Sequence, residues 1–283
     1  MKTLEPLATL YTAERGPALP LPPDLAALYG RLDFPPHPGR PYVIGNFVSS
    51  LDGVVALNTP GARTGGGEIS GFNEHDRMLM GLLRASADAV IVGAGTLRSV
   101  PNHRWTAPAI YPPLLEAYQQ LRAALGKTEP PLNVIVTARG DLNLSLPVFQ
   151  SGEVPVVIVT TPAGATRLRE QVLPSWAQIG VATGEGAVRA AEVLEVVNRA
   201  RACDLILTEG GPRLMGDFFA EHLLDELFLT LAPQVAGRDG SAERPGFVDG
   251  KRFAPDQPVW GTLVDLRRGG SHLFLRYAFA AEP

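Results

Sequence analysis

Apolar positions along this chain follow two alternating rhythms. Short runs rich in Val, Ile and Leu, bounded by Gly, Pro, Asn or Asp, recur as YVIGNFVSS (42–50), ADAVIVG (87–93), LNVIVTA (132–138), VPVVIVTT (154–161), CDLILTEGG (203–211) and DELFLTLAP (225–233). Runs of this length and make-up predict strands. Between several of them apolar residues return every three or four positions, which predicts helices over roughly 73–86, 111–125, 163–173, 187–201 and 212–222. Strand–helix alternation places a parallel sheet between two helical layers. The rhythm changes in WGTLVDLRRGGSHLFLRYAFA (260–280), where two strand-like runs flank Arg268, Gly269 and Gly270, a hairpin signal. The expected class is therefore α/β, a three-layer fold with a mixed, mostly parallel sheet, helices on both faces and a C-terminal antiparallel hairpin.

Two segments fall outside these rhythms. Residues 1–40 carry the proline clusters GPALPLPPDL and DFPPHPGRP around one helical piece, DLAALYGRL, and read as an extended N-terminal arm appended to a domain over 41–283. Residues 236–258 are rich in glycine, proline and charge and read as a mobile surface loop.

Composition narrows the function classes. A chain of 283 residues that is 45% hydrophobic can bury a sizeable core. A net charge of −4 argues against nucleic-acid or anionic-membrane partners. One cysteine, Cys203, excludes an intrachain disulfide framework and a cysteine-rich zinc site, and fits a reducing cytoplasm. The opening MKTLEPLATL forms no signal-peptide apolar core, and no stretch is long and apolar enough to span a bilayer. His75, in NEHDR, has no second ligand at a metal-binding spacing and reads as solvated, so no metal is expected.

The chemistry concentrates where strands end. TEGGPRLMGDFF (208–219) reads as strand, glycine turn and helix N-terminus, with Pro212 in the first turn, where its missing N–H is harmless. Such a terminus suits a phosphate, although a tight turn without a ligand has the same grammar. IVGAGTLRS (91–99) offers Gly93, Gly95, Thr96 and Arg98. It fails the G-x-G-x-x-G fingerprint because Arg98 stands at the third glycine, yet it can hold phosphate through N–H groups, a hydroxyl and a guanidinium. VIVTARGD (134–141) brings Thr137 and Arg139 to another strand end, and VSSLDG (48–53) brings Asp52, a turn former or a pocket carboxylate. His103, in NHRW, follows the glycine stretch.

The joint order of SLDG, LLRASADAVIVGAGT and LTEGGPRLMGDFFAEHLLDEL resembles the reductase half of the bacterial riboflavin-pathway deaminase/reductase and its stand-alone relatives, over about residues 40–280. The resemblance implies the dihydrofolate-reductase fold, a cytoplasmic homodimer and NADPH as cofactor. It implies Gly93, Gly95, Thr96 and Arg98 near that cofactor, Thr137 and Arg139 near its 2′-phosphate, and the run Gly210, Gly211, Pro212, Arg213, Leu214 and Gly216 around its pyrophosphate. Glu209 is implied to face a small heterocyclic substrate, with Arg84 and the position of Asn46 as further substrate contacts and Glu209 and Asp52 as catalytic candidates; His103, from its loop position beside Arg104 and Trp105, is expected to line the pocket. The expected reaction is hydride transfer to a C=N bond of a ribosylamino-pyrimidine or pterin-like molecule. Dihydrofolate reduction on the same scaffold, and a non-catalytic NADPH-binding protein, are the alternatives.

Departures from the family pattern lie in the substrate half. Asn46 stands where the riboflavin enzymes carry lysine, SVPN where they have Asp-Asp-Pro, and GGEI where they have Ser-x-Trp. Asparagine and Val100 cannot supply those charges, so 5-amino-6-(5-phosphoribosylamino)uracil is expected to be a poor substrate.

Overall fold

A computed structural model describes residues 4–58, 65–240 and 243–279; residues 1–3 of the expected arm, 241–242 of the expected loop and the last residues of the expected domain lie outside them. The strands among the described residues are β1 (Ala8–Thr12), β2 (Tyr42–Ser49), β3 (Ala89–Gly93), β4 (Leu132–Thr137), β5 (Val156–Thr160), β6 (Ala177–Val181), β7 (Leu205–Thr208), β8 (Glu226–Leu231), β9 (Thr262–Gly269) and β10 (His272–Ala278). They form one sheet in the order β1-β9-β10-β8-β2-β7-β3-β4-β5-β6. From β8 to β6 neighbouring strands run parallel, and β10, β9 and β1 add to the β8 edge by antiparallel pairing. The mixed sheet and the C-terminal hairpin are as the residue pattern predicts.

The helices are α1 (Pro23–Tyr29), α2 (Gly67–Ser70), α3 (Glu74–Ser86), α4 (Ala94–Ser99), α5 (Ala107–Ile110), α6 (Leu115–Ala124), α7 (Pro147–Gln150), α8 (Pro162–Arg169), α9 (Ala190–Ala200) and α10 (Pro212–Ala220). Alternate strand residues enter opposite layers. Val90 and Val92 pack with Leu79, Leu82 and Leu83 of α3, while Ala89 and Ile91 pack with α9 and α10 residues such as Val193 and Phe218. This period-two division builds the three layers.

The N-terminal segment holds the expected short helix, α1, and does more than an appendage would. Its β1 extends the sheet beside β9, and Leu25, Tyr29, Leu32 and Phe34 join the core under α3. Buried charges lock it in place. Arg276 reaches Glu226 and both the carboxylate and the carbonyl of Asp33, while Arg267 pairs with Asp265 at 2.7 Å and donates to the Tyr29 carbonyl. His75, read as solvated from the sequence, also ties down this segment: its ring Nε2 lies 2.7 Å from the Glu5 carbonyl oxygen.

Candidate active site

The carboxyl ends of β2, β3, β4 and β7 open onto one cleft of about 1390 Å³. Ligands in open parallel sheets occupy this position, outside the strand ends. Of the residues singled out in the sequence, the cleft is lined by Asn46, Arg84, Gly93, Gly95, Thr96, Arg98, His103, Thr137, Arg139, Glu209, Gly210, Gly211, Pro212, Arg213 and Leu214.

Asp52 and Gly216 are not among its lining residues. Asp52 is a loop anchor: one carboxylate oxygen accepts from Ser50 Oγ at 2.6 Å and from the Ala236 N–H, the other from the Gly237 N–H at 2.8 Å. Those donors hold its pKa well below the usual carboxylate range. The catalytic expectation for Asp52 thus meets a residue whose oxygens tie the β2 turn to the start of the 236–258 loop. Gly216 lies inside α10, where a Cβ would sit 2.8 Å from the Asp249 carbonyl oxygen. Its glycine seats that loop on the helix and does not approach the cleft.

The remaining glycines divide by the same criterion. A Cβ on Gly210 would meet Leu214 Cδ2 at 2.5 Å, so a side chain there would displace the Leu214 side chain. A Cβ on Gly211 would have nothing closer than Thr96 Oγ1 at 3.6 Å, and one on Gly95 would meet nothing within 4 Å. Gly211 has φ −66°, a value open to any residue. The protein's own packing therefore does not require glycine at 95 or 211, and both leave the backbone accessible from the cleft. Gly211 is the N-cap of α10, whose N-terminal N–H groups and dipole favour an anion. Thr96 lies beside Gly211, and Arg98 and Arg139 line the same cleft with exposed side chains. Arg213 instead pairs with Asp249 at 3.0 Å. The set offers backbone N–H groups, a helix end and guanidinium groups, donors suited to the phosphates of a nucleotide cofactor.

At the other end, α3 turns Asp76, Arg77, Met80 and Arg84 toward the cleft, positions spaced along one helical face. Arg84 is buried, with 1% of its side chain exposed, so it is not the surface helix-end cation its position also permits. Its Nε and one terminal nitrogen donate to the two oxygens of Glu209 at 2.8 and 2.7 Å. The other terminal nitrogen lies 2.8 Å from His103 Nε2 and 3.3 Å from the Thr106 carbonyl oxygen. Because arginine only donates, His103 Nε2 is the acceptor and its proton sits on Nδ1. Burial, then the positive charge of Arg84, lowers the His103 pKa to about 3. Glu209 lines the cleft, but both its oxygens are engaged by Arg84. The catalytic expectation for Glu209 thus meets a carboxylate already paired through both oxygens with a buried guanidinium.

Sequence reading passed over Asp76, which lines the cleft and is 5% exposed. The signal available was its spacing from Arg84 along α3. Also unforeseen, Glu243, Pro245 and Asp249 of the 236–258 loop line the cleft. That loop is held by Lys251–Asp217 at 3.0 Å and by Phe247 and Phe253 stacked edge-on against Phe219. The family departures Asn46 and Val100 line the cleft too, so both sit where a substrate could touch them.

The RibD C-terminal domain family model matches residues 41–259. A 2,5-diamino-6-ribosylamino-4(3H)-pyrimidinone 5′-phosphate reductase of Archaeoglobus fulgidus is 27% identical over 215 residues, 76% of this chain and 89% of that protein. The riboflavin biosynthesis protein RibD of Chlamydia muridarum is 28% identical over 205 residues, 72% of this chain, but the match spans only 49% of RibD. Among solved structures, a pyrimidine reductase-like protein of Corynebacterium diphtheriae superposes with a TM-score of 0.63 at 20% identity, covering 86% of this chain and 93% of that one. A Thermotoga maritima deaminase/5-amino-6-(5-phosphoribosylamino)uracil reductase gives 0.62 at 19% identity, over 85% of this chain and 57% of the other. The same fold in both structures, and a family match that spans every strand around the cleft, lead to one assignment: the chain belongs to the RibD C-terminal domain family, the reductase family of riboflavin biosynthesis.

Proposed function

We propose that this protein is an NADPH-dependent reductase of a ribosylaminopyrimidine 5′-phosphate, delivering hydride to a C=N bond of that substrate. The observation that supports the reading is the pair Gly95, in α4, and Gly211, the N-cap of α10, which both line the cleft and whose missing side chains leave open space there. A bound nicotinamide would supply the hydride. The protein's part is to hold and align. Backbone N–H groups at Gly211 and the α10 end would take the pyrophosphate, and Thr137, Arg139 and Arg98 the adenosine end. The hydrogen-bonded Arg84–Glu209–His103 set forms part of the cleft wall.

The reading carries a cytoplasmic homodimer, consistent with an uncovered sheet edge at β1, where Leu10 and Tyr11 are exposed; sedimentation equilibrium tests the assembly. The functional test is NADPH oxidation with 2,5-diamino-6-ribosylamino-4(3H)-pyrimidinone 5′-phosphate and with its deaminated counterpart, 5-amino-6-(5-phosphoribosylamino)uracil. The diamino compound is expected to reach a kcat/KM of about 10⁴ M⁻¹s⁻¹ or more, the ordinary enzyme range, and the uracil to fall well short of it. Absence of turnover with either compound, despite tight NADPH binding, would overturn the reductase reading.

A further inference from the structure

His272, the first residue of β10, is not among the residues that line the cleft, yet its ring holds the turn that does. Its Nδ1 lies 3.1 Å from Asn73 Nδ2 and its Nε2 lies 2.9 Å from the Ser70 carbonyl oxygen. Ser70 ends α2 and Asn73 caps α3, and between them Gly71 and Phe72 both have positive φ, 62° and 55°. Glycine adopts that conformation freely, whereas an aromatic residue keeps it only where its surroundings hold it. Here the Phe72 N–H donates to the Gly67 carbonyl oxygen at 2.8 Å, and His272 bridges the residues on either side of the Gly71–Phe72 step. The Phe72 side chain is 56% exposed and lines the cleft together with Ser70, Arg77, Met80 and Arg84.

The hydrogen bonds leave the ring one protonation state. Asn73 Oδ1 accepts from the Asp76 N–H at 3.1 Å, the cap of α3, so the amide turns its donor, Nδ2, toward His272. His272 Nδ1 is therefore the acceptor, and the ring's proton sits on Nε2 and goes to the Ser70 carbonyl. A ring protonated on both nitrogens would set two donors against each other at Asn73. The amide could meet it only by turning over and uncapping α3. Of titratable groups, α3 brings Asp76, whose carboxyl the ring's charge acts on, and His75, seated against Gly269. Gly269 of β9 is the register partner of His272, and α2 meets the ring through the Ser70 carbonyl.

We propose that His272 is a positioning residue for the substrate: its neutral ring, bridging Ser70 and Asn73, fixes the turn between α2 and α3 and so sets Phe72 and the cleft face of α3 in place. The assignment rests on the reductase reading, in which the cofactor takes the strand ends and α10, and the wall built by α2 and α3 is left to the substrate.

The test is steady-state NADPH oxidation by the full-length protein with 2,5-diamino-6-ribosylamino-4(3H)-pyrimidinone 5′-phosphate, beside calorimetric Kd values for that nucleotide and for NADPH. His272→Phe keeps a ring and removes both contacts. KM should rise about tenfold or more, in keeping with the loss of two hydrogen bonds, while kcat stays within about twofold and the NADPH Kd is unchanged. A folded variant with unchanged KM, or a loss confined to kcat, would overturn the assignment. Asn73→Asp adds a readout that general loosening would not move. The new carboxylate still caps α3, but both its oxygens accept, so only a ring protonated on both nitrogens can satisfy it and Ser70 together. The ratio of this variant's KM to that of the unmodified protein should be about one or lower near pH 5.5 and about ten near pH 9, on either side of the range in which imidazoles change charge. The substrate phosphate titrates alike in both and cancels in the ratio. Adding His272→Phe to Asn73→Asp should abolish the dependence. A ratio flat across that range would overturn the assignment even where His272→Phe does not fold. Nucleotide Kd values that follow this pattern without any NADPH oxidation would sink the reductase reading and uphold the role of His272. Turnover with a flat ratio would do the reverse, and failure of the nucleotide to bind would sink both.

Discussion

Replacing Arg84 by methionine tests whether the wall of the cleft is held by a buried ion pair. The guanidinium makes two hydrogen bonds to Glu209, at 2.8 and 2.7 Å, and one to His103 at 2.8 Å, with side-chain exposures of 1% for Arg84 and 7% for Glu209. Arg84→Met fills much of the same volume but leaves a carboxylate enclosed without its partner. Breaking a buried pair in this way costs about 3–5 kcal/mol. At roughly 2–4 °C per kcal/mol for a chain of this size, Tm should fall by roughly 6–20 °C. Removing the charge as well, in Arg84→Met with Glu209→Gln, takes away the stranded carboxylate, and replacement of both members of a buried pair is often close to neutral. The double variant should thus be more stable than Arg84→Met alone, with a coupling of at least about 2 kcal/mol in a double-mutant cycle. Urea unfolding of the four proteins, with calorimetric Tm values beside it, measures that coupling. Additive losses would refute the argument, because they would mean that Arg84 and Glu209 are stabilised by separate contacts and that the pair is incidental.

How much of this was legible in the sequence depended on whether the cause was local. The strands β2, β3, β4, β5, β7 and β8 were legible because burial on both faces makes each a continuous apolar run, and such runs are short-range patterns. The outermost strands were not. All five residues of β1 are exposed, and β6 carries Gln178 and Gly180 with none of its residues fully buried. Neither shows the alternation that a half-buried strand would. Helix α4 escaped because six residues give too few turns for a period to register. The glycine clusters were legible since a glycine next to a strand end is itself the device. Glu209 lines the cleft, yet its partner Arg84 lies 125 residues away in sequence, and no local rule says that both its oxygens will be taken. Asp52 misled for the opposite reason: an Asp-Gly at a strand end serves a turn or a pocket equally well, and only the arrival of the Ala236 and Gly237 N–H groups decides for the turn. Asp76 was passed over because an acidic residue in a helix's first turn already has a sufficient local explanation.

Three further outcomes follow from the site. Arg139→Ala should weaken NADPH binding at least about tenfold more than NADH binding, since it removes a charge-assisted contact to the 2′-phosphate; equal losses in fluorescence titrations of the two cofactors would reject that placement. Gly211→Val should fold, because its Cβ meets nothing closer than 3.6 Å, and should lose NADPH affinity by about 100-fold or more as the side chain enters the pyrophosphate space. An unchanged titration would make the turn purely structural. The last concerns acid stability and His103. Its pKa is about 3 in the folded protein against an ordinary 6.5, so between those values the unfolded chain takes up a proton that the native site refuses. The stability associated with the neutral ring is therefore fully present above about pH 6.5 and drains away as pH falls toward 3, at up to about 1.4 kcal/mol per pH unit. His103→Asn retains an acceptor for Arg84 but cannot titrate, so its urea midpoint should fall less steeply across that window than that of the unmodified protein, by a few kcal/mol in all. Carboxylates that lose stability in acid are common to both proteins and cancel in the comparison. Parallel curves would mean that the imidazole is reachable by protons in the native state, and that the enclosed Arg84–Glu209–His103 wall is not formed in solution.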